Sequence, residues 1–261
     1  MKIPHSHPRY ESLIRREKLA DGVERGLVHI TGLIAHGRGE AFDYLIGETT
    51  IPPALEAEKA AVAALMLAKN PVISVNGNTA VLAGEEVIEF AKEINAKIEV
   101  NIFHRTEERL RKLVNYMKSL GAERIYGLEA NAKIPGLDQP RSICSYEGIY
   151  SADVILVPLE DGDRCEALVK MGKIVIAIDL NPLSRTARTA TITIVDDVTR
   201  AFRNMITIAK ELKSMSREEL EEVLKKFDNK ENLNRVLNYI CKRLKSIYKS
   251  SLEDSHPSGK R

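Results

Sequence analysis

The segment 153–197 places the strongest limit on what this chain can fold into. It reads DVILVPLEDGDRCEALVKMGKIVIAIDLNPLSRTARTATITIVDD. Two short apolar runs, 154–157 and 174–178, each end abruptly in a polar, charged loop, and a stretch with helical spacing lies between them. That is the layout of a strand–helix–strand unit. In open α/β sheets ligands bind at the carboxyl ends of the strands, so the two loops are the first places to look for function. The second, 179–188, carries a carboxylate, an amide, two hydroxyls and two guanidiniums, a set suited to ribose hydroxyls and phosphates.

The rest of the chain extends the alternation. Helical spacing over 8–26 ends at Gly26, and Pro52 and Pro53 open an alanine-rich helix through 69, proline being tolerated in a first turn. Further strands are expected at 72–75, 97–102 and 192–195, and helices at 85–94, 106–119 and, capped by Asp197, 198–213. Residues 33–47 read as a polar, glycine-containing loop, and Asn76-Gly77-Asn78 as a tight turn after a strand. Residues 127–150 lack periodicity and are longer than most connections, which suggests a functional loop or lid. Two helices, near 216–227 and 231–248, finish the pattern. The expectation is an α/β fold, a Rossmann-like mostly parallel sheet flanked by helices, with N- and C-terminal helical extensions. It forms a single domain over 1–249, and 250–261 is a disordered tail.

Charge and composition narrow the function classes. A net charge of +2 gives no electrostatic case for nucleic acid or a membrane surface. No apolar run approaches the roughly 18–20 residues of a membrane span, and Cys144, Cys165 and Cys241 form no CxxC pair, so a reducing cytoplasm is the default.

The common phosphate fingerprints are absent: there is no GxxxxGK[ST], and Gly37-Arg38-Gly39 supplies only GxG. A nucleotide site must then use arginines, amides and backbone donors of other loops. Arg38 between two glycines suits an anion approached by backbone, beside His36, Glu40, Asp43 and Glu48. His5, His7, Arg15 and Arg16 surround the first helix, where Ser6 capping and a solvated basic face explain His5 and Arg15 as well. Asn76 and Asn78 lie at the ligand edge, or simply form a turn. His104 and Arg105 open a helix and suit an anion. Glu160, Asp161 and Asp163 suit Mg2+ or an amine, or cap the next helix. Cys165 reads as a small buried residue.

Taken together, HSHPRY, GLIAHGRGEAFDYLIGE, VNGN, VPLEDGDR and IDLNPLSRTAR resemble the archaeal phosphopantothenate synthetases, the 4-phosphopantoate–β-alanine ligases, from about residue 3 to about 245. The resemblance implies a homodimeric, Mg2+-requiring enzyme of coenzyme A biosynthesis. It would condense 4-phosphopantoate with β-alanine, using ATP and releasing AMP and diphosphate. It implies ATP contacts from Arg16, Arg38, Asp179-Leu180-Asn181, Arg185-Thr186 and Asp197-Val198. Loop position adds Asn76, Asn78, His104 and Arg105 for 4-phosphopantoate, and Arg38, His36 and Asp161 for catalysis. The helix at 54–67 and the C-terminal helices are the expected contributors to a dimer contact. A dinucleotide oxidoreductase and a non-catalytic nucleotide-binding module are the competing readings, and the missing GxGxxG argues against the first.

Overall fold

Strands made of consecutive valine and isoleucine have no face to offer water, so they must be covered on both sides. The computed structural model, which describes residues 3–158 and 161–253, covers them in that way. Its principal strands are β1 (Pro71–Val75), β2 (Lys97–Val100), β3 (Ile125–Tyr126), β6 (Val154–Pro158), β7 (Ile174–Ile178) and β8 (Ile192–Ile194). A short antiparallel ribbon pairs β4 (Ala132–Lys133) with β5 (Ile143–Cys144). The main sheet has the order β3-β2-β1-β6-β7-β8, and every neighbouring pair runs parallel. The chain winds outward from β1 to β3, then returns to the other side of β1 and winds outward again. This is the doubly wound Rossmann order, and its direction reverses between β1 and β6.

Alternate residues of each strand feed two cores. Ile73, Val75, Leu156, Ile176 and Ile178 face a layer of α3 (Pro52–Leu67), α4 (Gly77–Glu93), α5 (Glu107–Ser119) and α8 (Val198–Leu212). Val72, Ile155, Val157, Val175 and Ala177 face α6 (Gly162–Lys170) and Ile134, Leu137, Cys144 and Ile149. The aperiodic segment 127–150, expected as a lid, is therefore largely the second covering layer of the sheet. Glu99, with no exposed surface, fixes it by accepting the N–H groups of Ser145 (2.8 Å) and Ile149 (2.7 Å).

Helical extensions flank the sheet: α1 (Tyr10–Glu24) and α2 (Ile30–Ile46) before it, α9 (Arg217–Lys225) and α10 (Asn229–Glu253) after it. α10 runs past the expected boundary at 248, and the remainder of the expected tail, 254–261, lies outside the described residues. The alanines of α3, expected at a dimer contact, are consumed by the core of the chain itself: Ala57, Ala60, Ala61 and Ala64 are all buried.

Two local expectations are corrected. Residues 33–47 are not a loop but most of α2, despite its glycines. The helix is held from its inward face by charge: Glu40 takes three hydrogen bonds from Arg16 (2.7, 3.0 and 3.1 Å), and Asp43 takes two from Arg200, one at each carboxylate oxygen (2.5 and 3.2 Å). Gly47 ends it in the left-handed region at φ 96°. Asn76-Gly77-Asn78 is a helix start, not a free turn. The Asn76 side chain caps α4 through the Thr79 N–H (3.0 Å), so the helix begins eight residues earlier than the apolar spacing suggests.

Candidate functional site

The carboxyl edge of the sheet gathers most of the residues singled out above. At the reversal point, Asn76 follows β1 and its Nδ2 donates across the crevice to the Pro158 carbonyl at the end of β6 (2.9 Å). Asp161, the next described residue after β6, caps α6 by accepting the Arg164 N–H (2.9 Å). Its carboxylate also accepts from Gln139 Nε2 (2.8 Å) and Arg141 (3.2 Å). A carboxylate committed to three donors is a structural anchor, not a free base, so Asp161 does not fit the catalytic role expected of it. Glu160 lies outside the described residues.

The loop after β7 is preformed. Asp179 accepts the Asn181 N–H (2.9 Å) and the Ser184 hydroxyl (2.5 Å), and Ser184 in turn caps the short α7 (Arg185–Thr189) through the Ala187 N–H (2.9 Å). Burial pushes the Asp179 carboxyl up, against the opposing pull of Ser184, Asn181 and the Arg38 charge. Arg185 is exposed and pairs with Asp163 in the first turn of α6, which ties the starts of α6 and α7 together. Thr186 is buried, and Leu180 packs in a third core with Ile46, Val195 and Ile240.

α2 passes over this loop. A Cβ on Gly39 would sit 3.7 Å from Leu180. Arg38 is exposed and forms no ion pair among the described residues, leaving its guanidinium available beside Asp179. Its flanking glycines do not form an anion nest, because their N–H groups belong to the helix. His36 points inward: its Nε2 is buried without a partner. Burial holds its imidazole below the ordinary histidine range, against the opposing charges of Glu40 and Asp197. Asp197 caps α8 through the Thr199 N–H (3.0 Å), is 3.5 Å from Arg15, and leaves Val198 buried beside it. A groove of about 520 Å³ lined by Arg16, Leu19, His36, Gly37, Glu40 and Tyr44 opens between α1 and α2.

The expected substrate residues divide. Asn76, Asn78 and His104 line a cavity of about 160 Å³ together with His29, Thr31 and Arg109. Asn78 also fastens α2, donating to the Gly32 carbonyl (2.8 Å). Arg105 does not line it: it donates to the Gly127 carbonyl (3.0 Å) and lies near Glu99. Sequence reasoning overlooked His29, Arg109 and Arg141. For Arg109 a signal was present. In EERLRK, Glu107 and Glu108 stand four residues before Arg111 and Lys112 and pair with them, whereas Arg109 has Arg105 and Leu113 at those positions.

No group of three or more histidine, cysteine or acidic side chains gathers as a metal cage among the described residues. That donor set fits Mg2+ only in its usual nucleotide-bound form, held by phosphate oxygens, waters and one or two carboxylates.

These features define an α/β protein of the Rossmann-ordered class whose sequence has no glycine-rich phosphate loop. A model of the family described as phosphopantothenate/pantothenate synthetase matches residues 53–243, and the chain belongs to that family. It is 55% identical to the 4-phosphopantoate–beta-alanine ligase of Methanosarcina mazei over 245 residues, 94% of this chain and 96% of the relative. The ligase of the same name from Thermococcus kodakarensis is also 55% identical, covering 94% of each chain. That of Methanospirillum hungatei is 49% identical over 94% of this chain and 99% of its own.

Proposed function

We propose that the protein joins 4-phosphopantoate to β-alanine at the expense of ATP, releasing AMP and diphosphate and forming 4′-phosphopantothenate through an acyl-adenylate. The observation that carries this reading is similarity along nearly the full length of both chains to ligases of that name. A carboxylate is a poor electrophile, and adenylation gives it a leaving group that an amine can displace.

The residues support a division of labour. Asp179, Leu180 and Asn181 offer a preformed loop for the nucleoside, with the acidic side chain suited to ribose hydroxyls. Arg38, Arg185 and Arg16 supply cations for the phosphates, and charge developing on the α-phosphate favours guanidiniums already in place. Thr186, Asp197 and Val198, all buried, would contribute through backbone and helix start. Asn76, Asn78 and His104 face the acyl substrate. β-Alanine arrives as an ammonium. Burial holds the His36 imidazole below the ordinary histidine range and its Nε2 has no partner, which favours His36 over Asp161 as the base that takes the ammonium proton. Mg2+, when bound with ATP, would neutralise phosphate charge, with Asp163 an accessible carboxylate at this edge.

A second copy of the chain is the proposed partner. Ile30 and Ile34, one turn apart on α2, are 63% and 72% exposed, an apolar stripe beside the site that association would cover. No helix among the described residues is long and apolar enough to cross a membrane. No disulfide joins Cys144, Cys165 and Cys241, which suits a reducing cytoplasm.

The deciding experiment incubates the protein with ATP, Mg2+, 4-phosphopantoate and β-alanine, and follows AMP and product mass. AMP and the amide should appear in equal amounts, and without β-alanine diphosphate should exchange into ATP. Absence of amide at every temperature tried would sink the ligase reading. Amide without exchange would remove the free acyl-adenylate.

A further inference from the structure

The cavity at the start of α4 collects cationic groups, and among the described residues no acid lines it. Arg109 enters from α5. It donates to the carbonyls of His104 and Leu27 (3.1 Å each), and its Nε is buried without a partner. Burial holds this guanidinium below the ordinary arginine range, with no opposing carboxylate. His29 and His104 stack across the cavity, with ring centroids 3.5 Å apart and planes at 18°. The Thr31 hydroxyl links them, 2.8 Å from His29 Nδ1 and 3.2 Å from His104 Nε2. Burial, with His104 and Arg109 as neighbours, keeps His29 below its usual range, as expected where positive charge is already in excess.

Taking a guanidinium out of water without a counter-charge is costly, and a chain that keeps such an arrangement in a cavity has a use for an anion there. Elsewhere along the edge the cations are near acids: Arg185 with Asp163, Arg16 with Glu40, Arg38 by Asp179. The cavity, about 160 Å³, is below the ~300–1,000 Å³ typical of pockets for drug-sized ligands, so it fits a small anionic headgroup better than a nucleotide.

We propose that His29, Thr31, His104 and Arg109 form a seat for the phosphate monoester of the acyl substrate, with Arg109 as its principal cation, and that this seat selects the phosphorylated acid over the free one. The proposal rests on the ligase reading and deepens it. It also replaces Arg105, which does not line the cavity and turns one Nη to the Gly127 carbonyl, with Arg109 one helical turn on.

The test compares wild type with Arg109→Met and Arg109→Lys by equilibrium titration with 4-phosphopantoate, pantoate and ATP. Loss of one charge-assisted contact should weaken 4-phosphopantoate by roughly 10–100-fold in Arg109→Met, while pantoate and ATP stay within about twofold and Arg109→Lys recovers part of the loss. Equal weakening of 4-phosphopantoate and pantoate would make Arg109 a prop for the cavity wall and overturn the assignment. Because Arg109 also holds two carbonyls, a second measurement uses unmodified protein. Inorganic phosphate is titrated while the His29 and His104 ring signals are followed by NMR. Both should shift on one saturating curve that chloride does not reproduce, and the absence of any response overturns the proposal. Wild type that forms no amide yet shows the phosphate response would remove the ligase reading and keep the anion seat. An active ligase with silent imidazoles would do the reverse.

Discussion

Glu58 on α3 has no exposed surface, and its environment makes a quantitative prediction. Asn204 donates to one carboxyl oxygen (3.3 Å), and the other is buried without a partner. Burial, reinforced by the Asp196 charge, pushes this carboxyl up to about 9 against the weaker pull of Asn204 and Arg200. At pH 7 the folded chain therefore holds a proton that the unfolded chain, near the ordinary value of 4.5, has released. For a group whose folded pKa is raised, the stabilisation is fully present below the unfolded value and drains away as pH climbs towards the folded one. From pH 4.5 to 7 the loss is two and a half pH units at ~1.4 kcal/mol each, about 3 kcal/mol. Glu58→Gln imitates the protonated group at every pH and should not show that decline. With unfolding entropy of ~2.1 cal/mol/K per residue, a chain of this length moves about 2 °C per kcal/mol. The gap in Tm between variant and wild type should therefore widen by about 6 °C in favour of the variant between pH 4.5 and 7. Paired thermal melts across that range measure it. A constant offset would reflect only how the amide packs. Curves that stay parallel would refute a protonated Glu58.

Two other substitutions address the site and the assembly. Arg185→Ala removes an exposed ion pair worth only ~0–1 kcal/mol, so Tm should stay within about 2 °C, whereas KM for ATP should rise about tenfold or more, as for loss of a charged hydrogen bond. Unchanged steady-state kinetics would exclude Arg185 from the nucleotide site. Ile34→Glu places a charge on the exposed stripe of α2 and should convert a dimer to a monomer in light scattering at micromolar concentration. A monomeric wild type, or a variant that still dimerises, would move the contact elsewhere.

The centre of the sheet was legible because β6 and β7 are unbroken apolar runs with polar loops at fixed places, whereas the two-residue β3 was not foreseen, and DLNPLSRTAR stood out for its carboxylate, amide, hydroxyls and guanidiniums. α2 was not legible, for a physical reason. Its inward face carries Glu40 and Asp43, matched to Arg16 on α1 and Arg200 on α8, so it lacks the apolar stripe that marks most helices, and its glycines read as a loop. Asn76 misled in a related way: one side chain serves turns and helix caps alike, and only the packing of Val81, Leu82 and Ala83 into the core decides for the helix. Arg109 could be told from its neighbours only by the partner it lacked. The lowered pKa of His36 comes from its burial, against the pull of Glu40 and Asp197, and the commitment of Asp161 depends on Arg141, 20 residues back in the chain; no local pattern announces either.

The charges between α1, α2 and α8 have a consequence for temperature. Arg15 lies between Asp43 (3.7 Å) and Asp197 (3.5 Å), while Arg200 holds Asp43 and Asp196. Arg15 and the three acids are buried, so these side chains have given up much of their hydration. The free energy lost in that surrender shrinks on heating, whereas apolar burial levels off. The helix that carries His36 and Arg38 is thus fastened to the start of α8 by contacts whose relative weight grows as the solution warms. Heating should loosen the alanine-rich layer before it loosens this edge, so the geometry around the crevice is the part of the molecule best suited to outlast a rise in temperature.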